Sequence, residues 1–396
     1  MTRRFQFTLV GFSTVVVALL LFGAVGRSAS PDAPYTNLSV YSEVLSRIKA
    51  DYVEEPDMKA VTVGAISGML ESIDPFASYL NADQFKQYTR TKDTKKADVG
   101  LVLAKRFGYM TVVSTIPGSP ASKGGFSTGD VVESINNIST RDMPLAFAQL
   151  LLQGDPGTSV EFSVLRVRRA DPGKLTVVRA PIVYPAITGR LQAQTGIITA
   201  QSLQAGASKD VAAQVAALEK QGARKFILDL RNSATGPHEE GIALANLFME
   251  SGLIAYTQGQ KSGRQDFQAV ASKAVTKLPL AVIVNRSTAG GAEIAAAALM
   301  QSKRSQVVGE HTFGDAAIRK TVPLSDGGAV IISVAKYYPP EGKALQDTGV
   351  TPNVLQAEVD ATADSADDAL QDVPDDVAKK PGTDVLLNKT LLVLNP

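Results

Sequence analysis

The stretch LAVIVNRSTAGGAEIAAAALMQ (280–301), followed by SQVVGEHTFGDAAIR (305–319), decides how this chain reads. Leu280 to Val284 is an apolar run rich in β-branched residues, the pattern of a strand buried on both faces. Ser287, Thr288, Gly290 and Gly291 then supply a tight turn of small residues. The alanine-dominated run Ile294 to Met300 has high helix propensity, so the spacing predicts a helix opening near Glu293. A strand–turn–helix corner leaves backbone N–H groups of the first helical turn without internal partners, free to bind an oxyanion.

With Val307-Val308-Gly309 and Thr312-Phe313-Gly314 in place, this stretch resembles the active-site region of the carboxyl-terminal processing (tail-specific) serine peptidases. Their signature runs S-A-S-A-S-E-I and then V-V-G-x-x-T-F-G-K-G-x-V-Q. The resemblance implies a serine nucleophile, a lysine base and a glutamine that orients the lysine. Anchored on Glu293-Ile294 and on the two glycine motifs, without a gap, those three positions fall on Gly290, Asp315 and Arg319. Glycine has no atom that attacks a carbonyl, and an aspartate there has no hydroxyl to deprotonate. Losing a catalytic serine typically costs on the order of 10⁶ in turnover. The expectation is therefore a catalytically degenerate member, with Asp315 and Arg319, four residues apart, pairing to fill the vacated site.

The competing expectation is an active serine-type endopeptidase with a relocated nucleophile, Ser287 or Thr288, and Lys320 as its amine. A shift of two residues along an extended chain displaces a side chain by roughly 6–7 Å, far outside catalytic tolerance. Ser287 and Thr288 read better as turn residues or caps. A triad of Ser287 with His238 or His311 is weaker still, and both histidines read as surface or hydrogen-bonded groups. Lys303 and Arg304 follow the helix, where cations suit the dipole.

Composition narrows the remaining classes. The chain has 396 residues, 44% hydrophobic and 20% charged, with net charge +1. That is enough to bury cores in roughly two or three domains, with no basic block suited to nucleic acid. There are no cysteines and only two histidines, so neither disulfides nor a multi-histidine metal centre is expected, and no cofactor is implied.

Upstream, Thr2-Arg3-Arg4 precedes an apolar segment from Phe7 to Val25. This reads as a membrane anchor with its basic end inside, or as a signal peptide that would leave a secreted chain. Either reading puts the remainder outside the cytoplasm. After a linker, residues 35–95 show helical periodicity through Val40, Val44, Leu45 and Ile48, then Ala65, Met69 and Ile73. IDPFASYL (73–80) resembles the family's L-D-P-H-S-x-Y-L, with Phe76 where the family has histidine, a motif read as structural.

ADVGLVL (97–103), GSPASKGGFSTGDVVESINN (118–137) and GDPGTSVEFSVLR (154–166) resemble a PDZ domain over 96–183. The resemblance implies peptide capture by strand addition, with backbone N–H groups of Val99, Gly100, Leu101 and Val102 holding a tail carboxylate and a helix near Pro144 to Gln153 as the opposite wall. Residues 184–357 resemble the peptidase core, with strands at Gly196–Ala200 and KFILDLR (225–231), a helix from Lys209 to Lys220, and crossover βαβ units. In the family the turn after DLR is asparagine–proline–glycine–glycine. Here it reads NSATGPHEEG (232–241), so Gly236 and Gly291 remain as oxyanion-turn positions while Ala234 and Thr235 bring Cβ atoms. TVPLSDGGAVIISVAKYYPPEGKALQDTGVTPNV (321–354) resembles the family closely. The acidic, alanine-rich run 358–382 reads as a disordered linker, and 384–394 as a closing helix.

The expected fold class is α/β, an α+β multidomain chain: membrane segment or signal peptide with linker (1–34), helical region (35–95), PDZ domain (96–183), mixed-sheet core (184–357), and acidic linker with terminal helix (358–396). The expected function is extracytoplasmic binding or regulation. Partners would be protein C-terminal tails or unfolded polypeptides, active peptidase relatives or a second copy, and the inner membrane through its first segment.

Overall fold

The computed structural model describes residues 33–92, 97–106, 108–141, 143–166, 171–358 and 384–394. The expected membrane segment 7–25 and, apart from Glu358, the acidic run 358–382 lie outside the described residues. Among those described, no helix is long and apolar enough to cross a membrane. The chain divides into two compact units, Met1–Ala65 and Ile66–Pro396. The first contributes the helix Ala33–Asp51 and the opening of Met58–Ile73, whose apolar Leu38, Val40 and Val44 are exposed. The sequence groups 35–95 together, whereas the units part between Ala65 and Ile66. The tertiary reason is visible at Ser78–Leu80, which pairs with Ala329–Tyr338 and so belongs with the second unit.

The second unit is built on three sheets. The central one orders its strands Val354–Leu355, Ser305–Gly309, Leu280–Val284, Lys225–Asp229, Thr195–Thr199 and Thr188–Gln192, parallel except for the last pair. Leu280–Val284 sits inside it with every residue buried, as a parallel strand covered on both faces must be. Its period-2 alternation sends Leu280, Val282 and Val284 to one face, against the helices Ala207–Lys220, His238–Asn246 and Gly291–Gln301. Ile283 points to the other face with Ile197 and Ile227, where Leu386 and Leu387 cover them. Those leucines come from the helix Val385–Val393, so the closing helix docks back on the sheet. Asp384 caps it by accepting the Leu387 N–H at 2.9 Å and meets Arg231, whose guanidinium also grips Asp229. Burying each leucine contributes about 1.5–3 kcal/mol.

The second sheet runs Ser78–Leu80, Ala329–Tyr338, Leu253–Gln258 and Gln265–Gln268, with Ala317–Pro323 also paired to Ala329–Tyr338. It ties the 73–80 motif to the strand that follows Asp315. The third is the PDZ sheet, ordered Leu101–Arg106, Tyr109–Thr115, Val131–Ile135, Ser159–Leu165 and Gly173–Val178. Its core includes Val99, Leu101, Leu103, Val112, Val132 and Phe162 beside the helix Leu145–Leu152, and Phe76 and Ala289 join the same cluster.

One close approach positions the site. A Cβ on Gly241 would lie 1.9 Å from the Gly291 carbonyl oxygen. Only glycine lets the helices His238–Asn246 and Gly291–Gln301 touch there, which brings the turn before the first against the N-terminus of the second.

Candidate functional site

The corner forms where the sequence places it, two residues earlier than expected. The helix runs Gly291–Gln301 with Gly290 as its N-cap at φ 64° and ψ −124°, and Glu293 reaches back to the cap's own N–H. That backbone conformation is costly for a residue bearing a Cβ. Yet space exists: a Cβ at Gly290 would make ordinary contacts, 3.6 Å from the Asp315 carbonyl oxygen and 3.6 Å from His238 Nε2. The imidazole stacks on Tyr337 with ring centroids 5.0 Å apart, and burial pushes the Tyr337 phenol up to about 12. His238 read as a surface or hydrogen-bonded group in the sequence; the fold sets its Nε2 3.4 Å from the Asp315 carbonyl oxygen, beside the empty position.

Glu293 is the hub. Its carboxylate is fully buried and accepts four hydrogen bonds, from the Gly290 N–H (3.0 Å), the Gly314 N–H (2.7 Å), the Asp315 N–H (2.9 Å) and the Thr312 hydroxyl. Burial pushes its carboxyl up to about 7, against the opposing pull of these donors. One side chain thus fixes the turn at 290 relative to the loop 312–315.

Asp315 and Arg319 pair as expected, with Arg319 Nη2 at 2.5 Å from Asp315 Oδ1 and both side chains partly exposed. The guanidinium lies 4.4 Å from the centre of the Phe76 ring, which meets Phe313 edge-on at 6.1 Å. Arg106 caps the far face of Phe313 at 4.6 Å. The sequence read the Phe76 motif as structural, and the sheet pairing of Ser78–Leu80 carries it to the site. A flat apolar ring next to a guanidinium is a stable neighbour for it.

Neither candidate hydroxyl meets an amine. Ser287 is buried and its hydroxyl shares a 2.8 Å hydrogen bond with Thr128. Thr288 is fully buried, donates to the Leu230 carbonyl at 2.9 Å and accepts the Asn285 N–H at 3.0 Å. Lys320 lies on the strand Ala317–Pro323 opposite Ile332 and is exposed. His311 Nδ1 lies 2.8 Å from the neighbouring Thr312 carbonyl oxygen and its side chain is exposed. Arg304 ends the helix with its backbone N–H, which donates to the Leu299 carbonyl at 2.9 Å, while its side chain reaches across to the Phe248 and Leu278 carbonyls at 2.8 and 2.7 Å.

The turn 232–237 also differs from expectation. Its left-handed positions are Asn232 (φ 58°) and Gly236 (φ 112°), so Ala234 and Thr235 carry no strain from their Cβ atoms. Gly236 is required, because a Cβ would lie 1.8 Å from the Leu203 carbonyl oxygen. Ser233 O accepts the Ala289 N–H and Thr235 O the Leu203 N–H, both at 2.9 Å, tying the turn to the corner. No described acceptor takes the Gly236 or Gly291 N–H. Among the described residues, no group of three or more acidic or histidine side chains converges as a metal site would.

At the PDZ sheet, Leu101–Arg106 is an edge strand, paired among the described residues only with Tyr109–Thr115. The helix Leu145–Leu152 flanks it. Gly100 has φ 81°, and a Cβ there would lie 2.3 Å from Ser119 Cβ. Val99 and Leu101 bury their side chains, while Val102 is partly exposed.

Residues 194–356 match peptidase family S41, and residues 111–166 match the PDZ domain. The carboxy-terminal processing protease CtpA of Bacillus subtilis (strain 168) is 30% identical over 358 residues, spanning 88% of this chain and 76% of that protein. The chain belongs to the carboxyl-terminal processing peptidases of family S41. The carboxyl-terminal-processing protease of Synechocystis sp. is 31% identical over 315 residues, 77% of this chain and 74% of its own. Among solved structures, the photosystem II D1 C-terminal processing protease superimposes with a TM-score of 0.67 at 27% identity, covering 79% of this chain and 86% of that one. These alignments are longer than the two domain matches together, so family membership extends across the PDZ sheet, the core and their connections. The hydrolase-type scaffold of the family is therefore present here, with the corner, the loop 312–315 and the PDZ edge in one unit.

Proposed function

We propose that this chain is a non-catalytic member of the family that binds extended polypeptide outside the cytoplasm, or tunes active relatives, without cutting. One observation carries the reading. The corner at Gly290 offers no hydroxyl, and the two nearest in sequence, on Ser287 and Thr288, are committed to Thr128 and the Leu230 carbonyl. Acyl transfer needs a nucleophile with a base against it. The lysine and glutamine positions implied by the family signature carry Asp315 and Arg319, which are paired with each other. Retention of the PDZ sheet with an open edge supports peptide capture by strand addition, and the basic-headed apolar segment 7–25 supports an extracytoplasmic location, by anchor or by export.

The test is incubation of the full chain with an unfolded protein ending in an apolar tail, followed by mass spectrometry. No cleavage is expected. Cleavage that disappears in Ser287→Ala or Thr288→Ala would establish the relocated nucleophile instead.

A further inference from the structure

The PDZ loop carries an acceptor of its own. Asp98 stands immediately before the loop residues Val99 and Gly100, and its Oδ1 accepts the Gly100 N–H at 2.7 Å. That N–H is one of the backbone donors on which capture of a terminal carboxylate depends. Asp98 is held there by its backbone, which exchanges hydrogen bonds with Ala180 at 3.0 and 3.1 Å. Gly100 stands at φ 81° with no room for a side chain, since a Cβ there would lie 2.3 Å from Ser119 Cβ.

Charge points the same way. The cation that acts on Asp98 is Arg179. Its guanidinium is already spent on the Leu152 carbonyl (3.0 Å), the Leu151 carbonyl (2.7 Å) and the Thr158 hydroxyl (2.8 Å). Lys105, on the edge strand, is buried and paired with Glu71 at 3.0 Å. A peptide's terminal carboxylate would therefore meet a like charge at the loop, with the Gly100 N–H taken and, among the described residues, Arg179 and Lys105 engaged elsewhere. The strand edge beyond, from Leu101 to Arg106, keeps its own pairing potential.

We infer that the PDZ edge of this chain accepts an internal extended segment, or a tail whose end is uncharged, and discriminates against a free terminal carboxylate through Asp98. This inference rests on the reading of that edge as a peptide-binding surface. It names the chemistry of the occupant: a β-strand of apolar polypeptide without an anionic end.

The experiment uses the full chain and a library of fluorescein-labelled apolar octapeptides, made once as C-terminal acids and once as C-terminal amides, with fluorescence anisotropy as readout. The amides are expected to bind at least about tenfold more tightly than the acids. Asp98→Ala should erase or invert that preference. Asp98→Asn, which keeps an oxygen for the Gly100 N–H while removing the charge, should narrow it and guards against a loop that fails to fold. Acids binding as tightly as amides would overturn the inference and leave the peptide-binding reading standing. An equal loss for both libraries in Asp98→Ala, with the preference unchanged, would reduce Asp98 to a residue that shapes the loop. Binding of neither library would remove both the inference and the reading beneath it.

Discussion

A Cβ built on Gly290 would stand 3.6 Å from His238 Nε2. The corner thus keeps the room, the backbone bend and an imidazole within reach of a side chain it does not possess. Gly290→Ser alone is expected to create a hydroxyl that a fluorophosphonate probe labels, while the unaltered chain stays unlabelled. Labelling should fall at least about tenfold when His238→Ala is added, since the imidazole must exchange its 3.4 Å contact with the Asp315 carbonyl oxygen for the serine proton. The left-handed φ makes the substitution cost about 1–2 kcal/mol of stability, read as a lowered urea midpoint.

Glu293 makes stability depend on pH. Its folded carboxyl is raised from the ordinary 4.5 to about 7, so between those values the folded chain holds a proton that the unfolded chain has released. The contribution is complete below about 4.5 and is lost as pH rises through about 7. Relative to Glu293→Gln, the urea midpoint of the unaltered chain should decline across that window, by up to about 1.4 kcal/mol per pH unit. Parallel pH profiles would show that the group does not titrate there.

The Asp315–Arg319 pair is partly exposed, which limits its worth. A double-mutant cycle of Asp315→Ala and Arg319→Ala is expected to give a coupling of about 0.5–1 kcal/mol, smaller at 1 M salt. Arg319→Ala alone should cost more than Asp315→Ala, because it also removes the contact with Phe76. Equal single-mutant costs would argue that the ring contributes nothing.

Arg231 joins three acidic side chains, Asp229, Glu358 and Asp384. Asp229 is buried, so Arg231→Leu leaves a buried carboxylate without its cation, at a cost of about 3–5 kcal/mol. Asp384→Ala removes the cap and one arm of the clamp, for about 1–2 kcal/mol. Both should raise amide hydrogen exchange in Val385–Val393 before the central strands respond, because that helix is held by few residues beyond Leu386 and Leu387.

Local pattern carried much of this. The run Leu280–Val284 announced a buried strand through its apolar β-branched residues, and the alanines after Glu293 announced the helix that follows. Gly290 was legible as an absence, since a missing side chain needs no structure to be noticed. Arg319 and Asp315 were legible as a pair from opposite charges four positions apart. Phe76 and His238 were not, because what brings them to the site is a strand pairing with residues more than two hundred positions away and a glycine contact between two helices. The cost assigned to Ala234 and Thr235 failed for a related reason: which residue of a turn takes a positive φ depends on what the turn leans against, here Leu203.

By itself the sequence determined which chemical groups exist: no hydroxyl at 290, no amine at 315, an acid at 98 and another at 293. Side-chain identity is written one residue at a time, so these facts hold in any fold. Only the tertiary structure decided which of those groups face one another. That choice belongs to packing over long separations, where Glu293 gathers a distant loop, the Arg304 side chain reaches across to the Phe248 and Leu278 carbonyls, and Asp98 answers a donor of its own loop.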